Sequence, residues 1–171
     1  MLLMPPILPS LFAYKSWADA ELLAAVANLP AQHAEQLPAC IRTLNHIHIV
    51  DCIFRAHLSG TPRRYDATHT KELPTLDALR AAMTETDSWY EQYVATVSEA
   101  ALNETLAFTF TDGDAGKMSR LEILMHVITH GSNHRGNVGQ ILKSLAINPP
   151  RDLYTKFLHL REPERRAGHA S

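Results

Sequence analysis

The sequence predicts an all-α fold, a four-helix bundle, on three observations. Apolar residues return at helical spacing in four long stretches, prolines and turn clusters separate those stretches, and only one short segment alternates like a strand. The first stretch, "PSLFAYKSWADAELLAAVANLP", has Ser10 as its N-cap. Leu11, Tyr14, Trp17, Ala18, Leu22, Ala25 and Val26 form its inward stripe, and Pro30 stops it. The second, about residues 38–58, carries Ile41, Leu44, Ile47, His48, Asp51, Cys52 and Phe54 and ends at "SGTPRRY". The third, about residues 76–97, takes Thr75 as N-cap and offers Leu76, Leu79, Met83, Trp89, Tyr90 and Tyr93 for packing. In "NETLAFTFTDGDAGKMS", Leu106, Phe108 and Phe110 alternate with small polar residues before a "DGDAG" turn, the pattern of a short extended segment or hairpin. Ser119 and Glu122 make a capping box that opens the fourth long helix, which Asn148-Pro149-Pro150 ends. A last short helix fits "RDLYTKFLHL". About sixteen residues link the second and third helices, far more than a tight antiparallel turn needs; such a link can cross the bundle and leave its two helices parallel. The first two helices, joined by a short proline-bounded loop, read as antiparallel.

Composition sets the class. A chain of 171 residues with 46% hydrophobic and 20% charged residues is long enough for one ordinary domain with its own core, here spanning 1–171. Sixteen basic against 18 acidic residues give a formal charge of −2, which speaks against a nucleic-acid partner. The basic cluster in "REPERRAGHAS" reads as a solvated end. No stretch approaches the roughly 20 apolar residues of a membrane span, and "MLLMPPILPS" is too short, too rich in proline and too poor in basic residues for a signal peptide. Cys40 and Cys52 lie twelve positions apart on one helix, roughly 18 Å along its axis, which rules out a disulfide between them without breaking that helix. A reducing, cytoplasmic setting follows from that reading. Ten histidines are the compositional oddity.

Three of them stand in register. "HVITHGSNHRGNVGQIL" places His126, His130 and His134 four residues apart, followed by glycines. Residues four apart on a helix differ by about 40° and about 6 Å, so two such imidazoles can grip one ion. His126 and His134 are about 12 Å apart along the axis and cannot share it. At most two neighbours take part, and the spacing alone leaves the choice open. A third ligand comes from another helix, where "LNHIHIV" offers His46 and His48, about 200° apart. In an antiparallel pairing His46 stands level with about residue 132, and in a parallel one with about residue 127. The topology guess prefers the antiparallel case, hence His46, His130 and His134. Three glycines within nine residues cost the helix about 1 kcal/mol each relative to alanine, which points to a close neighbouring backbone, a ligand or a second subunit. Other patterns carry less. Ser16, Asp19, Asp51 and Ser132 are nominal triad parts without a nucleophile elbow. Cys52 reads as core before it reads as a nucleophile, Tyr14, Trp17 and Trp89 as core rather than a substrate cage, and "DGDAG" as a turn rather than a calcium loop.

"FAYKSWADAELLAAVANLP", "LNHIHIVDCIFRAHLSG", "HVITHGSNHRGNVGQIL" and "NPPRDLYTKFL" together resemble, in order, the blocks of the DinB-like (damage-inducible) family of metalloproteins. The resemblance implies an up-down-down-up bundle, commonly a homodimer, that holds one divalent metal through His46, His130 and His134. Asn137 departs from the glutamine usual in relatives and bears on the hydrogen bonding around the ligands. Zinc or nickel is the expected ion, with iron or manganese as further options. Relatives include bacterial thiol transferases and a thiol-dependent maleylpyruvate isomerase. The expectation is therefore a metal-dependent transferase acting on a small molecule with a low-molecular-weight thiol. A metal-dependent hydrolase and a non-catalytic, stress-linked metal-binding dimer are the alternatives. No residue is assigned to catalysis; His126 is expected near the pocket, and Asn45 and Asp51 are expected to orient ligands.

Overall fold

The computed structural model of the protein describes residues 7–166. Four long helices build the bundle: α1 (Ile7–Ala27), α2 (Leu37–Ser59), α3 (Leu76–Thr96) and α5 (Arg120–Ser144). A four-residue α4 (Glu99–Leu102) and an antiparallel hairpin, β1 (Thr105–Thr109) and β2 (Ala115–Ser119), precede α5. A short α6 (Tyr154–Arg161) follows it. Of residues 1–10, read above against a signal peptide, 1–6 lie outside the described residues, as do 167–171 of the basic C-terminal stretch.

Local chemistry sets most of these boundaries. The Thr75 hydroxyl accepts the Ala78 N–H at the start of α3. Ser119 and Glu122 form the reciprocal capping box at the start of α5, satisfying donors that a bare helix end leaves orphaned. Gly60 ends α2 at φ 65°, a left-handed position that glycine occupies at no steric cost. Ser10 is not the N-cap of the first helix. That helix starts at Ile7, and the Ser10 hydroxyl instead lies 2.7 Å from the Tyr154 hydroxyl, tying α1 to α6. The "DGDAG" segment is the hairpin turn, with Gly113 at φ 95° and Asp112 Oδ1 accepting the Asp114 N–H. The Phe108 and Phe110 rings lie across Gly116, where a Cβ would come within 2.6 Å of Phe108.

Two apolar clusters give the helix directions. One joins Leu8 and Phe12 of α1, Val50, Phe54 and Leu58 of α2, Tyr90 and Val94 of α3, and Ile123, Leu124, Val127 and Ile128 of α5. The other joins Leu22, Leu23 and Val26 with Cys40, Ile41, Leu44 and Ile47, Leu79 and Met83, and Val138 and Leu142. The early half of α1 and α5 therefore shares a layer with the late half of α2 and α3, which is the up-down-down-up arrangement. α2 and α3 are parallel, joined by the long 60–75 link, and α2 runs antiparallel to α5. Arg120, the first residue of α5, donates to the Leu58 carbonyl at the last turn of α2 (2.7 Å). Cys40 and Cys52 both lie on α2 as free thiols.

Candidate metal centre

The antiparallel α2–α5 pairing sets the level of the site. His46 stands against both His130 and His134, with ring centroids 5.0 and 4.6 Å away, bracketing the expected level of residue 132. One nitrogen from each of the three rings lies within 4.8 Å of the others, and all three side chains are half-buried. His46 Nε2 and His130 Nε2 are 3.1 Å apart. Two nitrogens bound tetrahedrally at zinc distance would be about 3.4 Å apart, so small ring rotations complete a common focus.

The surroundings prepare the rings for ligation. His46 Nδ1 donates to the Thr68 carbonyl at 2.8 Å, which fixes the tautomer and leaves the Nε2 lone pair facing the other rings. Asn45 donates to Thr70 Oγ1 (2.9 Å), and Thr70 in turn donates to the Glu72 carbonyl, so the crossing link is stitched to α2 at the same level. Asn45 thus holds the loop rather than a ligand. Burial, reinforced by His134, His46, His126 and Lys15, pulls His130 down to about 3. Burial, then His46, lowers His134. These two rings are accordingly neutral near pH 7, the form that binds metal. His130 Nδ1 is buried without a hydrogen-bond partner among the described residues. Asn137 Nδ2 lies 3.3 Å from His134 Nδ1. In that orientation the amide donates to the ring; a half-turn presents its oxygen and lets Nδ1–H donate, freeing Nε2.

The other two candidate histidines fall outside this focus. His126 lies one turn away, with its ring 5.4 Å from His130 and 4.9 Å from Phe54. His48 points towards α3, its Nδ1 3.5 Å from Thr86 Oγ1, with its Nε2 3.6 Å from the Sγ of Cys52 one turn on along α2. Burial lowers it to about 4. Burial also raises the Cys52 thiol, the opposite of what an activated nucleophile needs.

A family model described as the DinB family matches residues 4–166, nearly the whole chain. The chain belongs to the DinB family. It is similar to Protein DinB of Bacillus subtilis (strain 168), with 22% identity over 170 residues that cover 91% of this chain and 95% of that protein. Family membership and the histidine cluster are together compatible with metal binding.

Behind the histidines, this DinB-family chain buries a charge network that sequence reasoning missed. Lys15 of α1, only 1% exposed, places Nζ 2.8 Å from Asp19, 2.8 Å from Asp51 and 2.7 Å from Asp87. Arg135 of α5 bonds Asp19 on one side (3.0 Å) and Asp152 on the other (2.7 Å), and Asp152 also accepts from the Tyr14 hydroxyl. Asp51 serves Lys15 and not a metal ligand, which corrects its expected role. Gly131, next to His130, is needed here: a Cβ would sit 3.3 Å from Arg135 Nη1 and 3.5 Å from Lys15 Cε. The available sequence signal was Lys15 and Asp19 at i, i+4 on the apolar stripe of α1.

Proposed function

We propose that His46, His130 and His134 hold one divalent metal ion, and that the protein is a metal-dependent transferase using a low-molecular-weight thiol. The observation that carries the ligand set is the convergence of three ring nitrogens from two antiparallel helices. Its donor chemistry supports the reading: three neutral imidazoles leave coordination positions open, as in catalytic rather than closed structural sites. Such donors suit zinc, nickel, iron or manganese, with zinc and nickel foremost. When bound, the ion would lower the pKa of a water or thiol in an open position.

The chain's own groups would orient and shelter that position. The Thr68 carbonyl locks the His46 ring, while His126, itself packed on Phe54, flanks His130. Thiol use is favoured over hydrolysis by the family resemblance in the four sequence blocks. Metal-loaded protein is screened with glutathione, cysteine and coenzyme A against alkyl halide, epoxide and maleyl electrophiles, and separately with ester and amide substrates. Thiol-dependent turnover that disappears in His134→Ala supports the proposal. Thiol-independent hydrolysis makes it a hydrolase, and absence of turnover across both panels makes it a metal-binding protein.

A further inference from the structure

The glycines of α5 have three different explanations, and one of them leads away from the metal centre. Gly131 makes room for Arg135, whereas Gly139 packs beside Pro149, whose Cβ and Cγ would be in ordinary contact with an added Cβ at 3.7 and 3.8 Å. The space beside Gly136 is open, with no atom of the described residues within 4 Å of where its Cβ would be. A glycine at a mid-helix position costs about 1 kcal/mol relative to alanine, and here no packed neighbour accounts for it. Gly136 instead lines a cavity of about 640 Å³ between α1, α5 and the 148–153 segment. It lies two residues, about 200° of rotation, from His134, so this cavity is on the far side of α5 from the histidines.

We propose that this cavity is a second binding site, for a small, flat, amphipathic anion. Its volume falls in the range of about 300–1,000 Å³ typical of small-molecule sites. Trp17, Leu22, Pro149, Pro150 and Leu153 supply an apolar lining, and Gly136 a bare patch of helix against which a flat ring can lie. The α5 terminus shapes the far wall. Ala146, at φ 58°, turns the chain back, with the Ile147 N–H bonded to the Leu142 carbonyl at 3.0 Å, and so brings Pro149 over Gly139.

Charge selects the ligand class. Arg135 and Asp152 in the lining neutralise each other. Lys143 and Arg151 are exposed at the cavity and have no ion-pair partner among the described residues, against the single carboxylate of Glu21. An apolar floor under a net positive rim fits an aromatic carboxylate or sulfonate.

The probe is 8-anilinonaphthalene-1-sulfonate, compared with its uncharged analogue N-phenyl-1-naphthylamine, on the full chain. The wild type is expected to bind one sulfonate per chain saturably, with energy transfer from tryptophan that is reduced in Trp17→Phe more than in Trp89→Phe. Gly136→Leu, which fills the open space from an exposed helix position, is expected to abolish binding while metal content holds and the melting temperature does not fall. The uncharged analogue, and the sulfonate on Lys143→Glu/Arg151→Glu, are each expected to bind about tenfold more weakly. The proposal is overturned by absent saturable binding, by equal affinity in Gly136→Leu, or by indifference to probe charge. A change of oligomeric mass in Gly136→Leu would likewise overturn it, because the face would then be a subunit contact.

Discussion

Lys15→Met tests how the bundle tolerates charge in its centre. In the wild type one ammonium serves three carboxylates at 2.7–2.8 Å, contributed by α1, α2 and α3. After substitution Asp19 retains Arg135 (3.0 Å), whereas Asp51 and Asp87 lose their cation. Breaking a buried pair by removing one partner costs about 3–5 kcal/mol. Burial already raises Asp51 to about 6 and Asp87 to about 7 against the opposing pull of Lys15, so losing that pull raises both further. A carboxyl raised in the folded state contributes stability at low pH and loses it as pH rises through the folded value. The destabilisation must therefore grow with pH. Between pH 6 and pH 8 a carboxyl whose folded-state pKa lies well above 8 loses about 2.7 kcal/mol, at about 1.36 kcal/mol per unit. The wild type already loses about 0.4 kcal/mol of this at Asp51 and about 1.4 kcal/mol at Asp87, so the substitution adds at most about 2.3 and about 1.4 kcal/mol. Urea unfolding of both proteins at the two pH values measures this directly. A loss below about 1 kcal/mol at pH 8, or an equal loss at pH 6 and 8, would refute the reasoning.

Three further outcomes follow from the same contacts. Gly136→Ala should stabilise the protein by up to about 1 kcal/mol, because nothing lies within 4 Å of the new Cβ. Gly131→Ala should not, because Arg135 Nη1, held by Asp19, stands 3.3 Å from its Cβ position; paired thermal melts compare them. His48, lowered by burial to about 4, contributes stability above its unfolded value near 6.5 that is lost as pH falls towards 4. His48→Leu should accordingly lose less stability than wild type between pH 6.5 and 4 in metal-free protein, and an unchanged pH slope would contradict this. Asn137→Ala should weaken metal affinity about tenfold in chelator competition, while unchanged affinity would mean that the amide does not orient His134.

Much of the fold was legible because its signals are local. The apolar stripes, Thr75 and the Ser119–Glu122 box each act within one or two turns, and the structure keeps them in those roles. Ser10 was misread because its hydroxyl looks like a cap, while its actual partner, Tyr154, is 144 residues away. The four-residue α4 was too short to show a period. At the candidate site, helix rise limited one ion to two neighbouring histidines of α5, the level of His46 on an antiparallel partner preferred His130 and His134, and the family resemblance pointed to His46 rather than His48. The roles of Asn45 and Asp51 were not legible. Each is decided by a distant element, the 60–75 link for Asn45 and α1 for Asp51. The charge network was hidden for the same reason, since a lysine in an apolar stripe acquires its meaning only when three helices bring carboxylates to it.

The central claim is that His46, His130 and His134 bind one metal ion, and metal stoichiometry tests it most directly. Protein purified, stripped with chelator and reloaded with zinc or nickel is assayed for bound metal per chain. The account predicts one ion per chain in wild type and His48→Ala, and a sharp loss in His46→Ala, His130→Ala and His134→Ala. Full occupancy in any of the last three, with the variant folded, would contradict it.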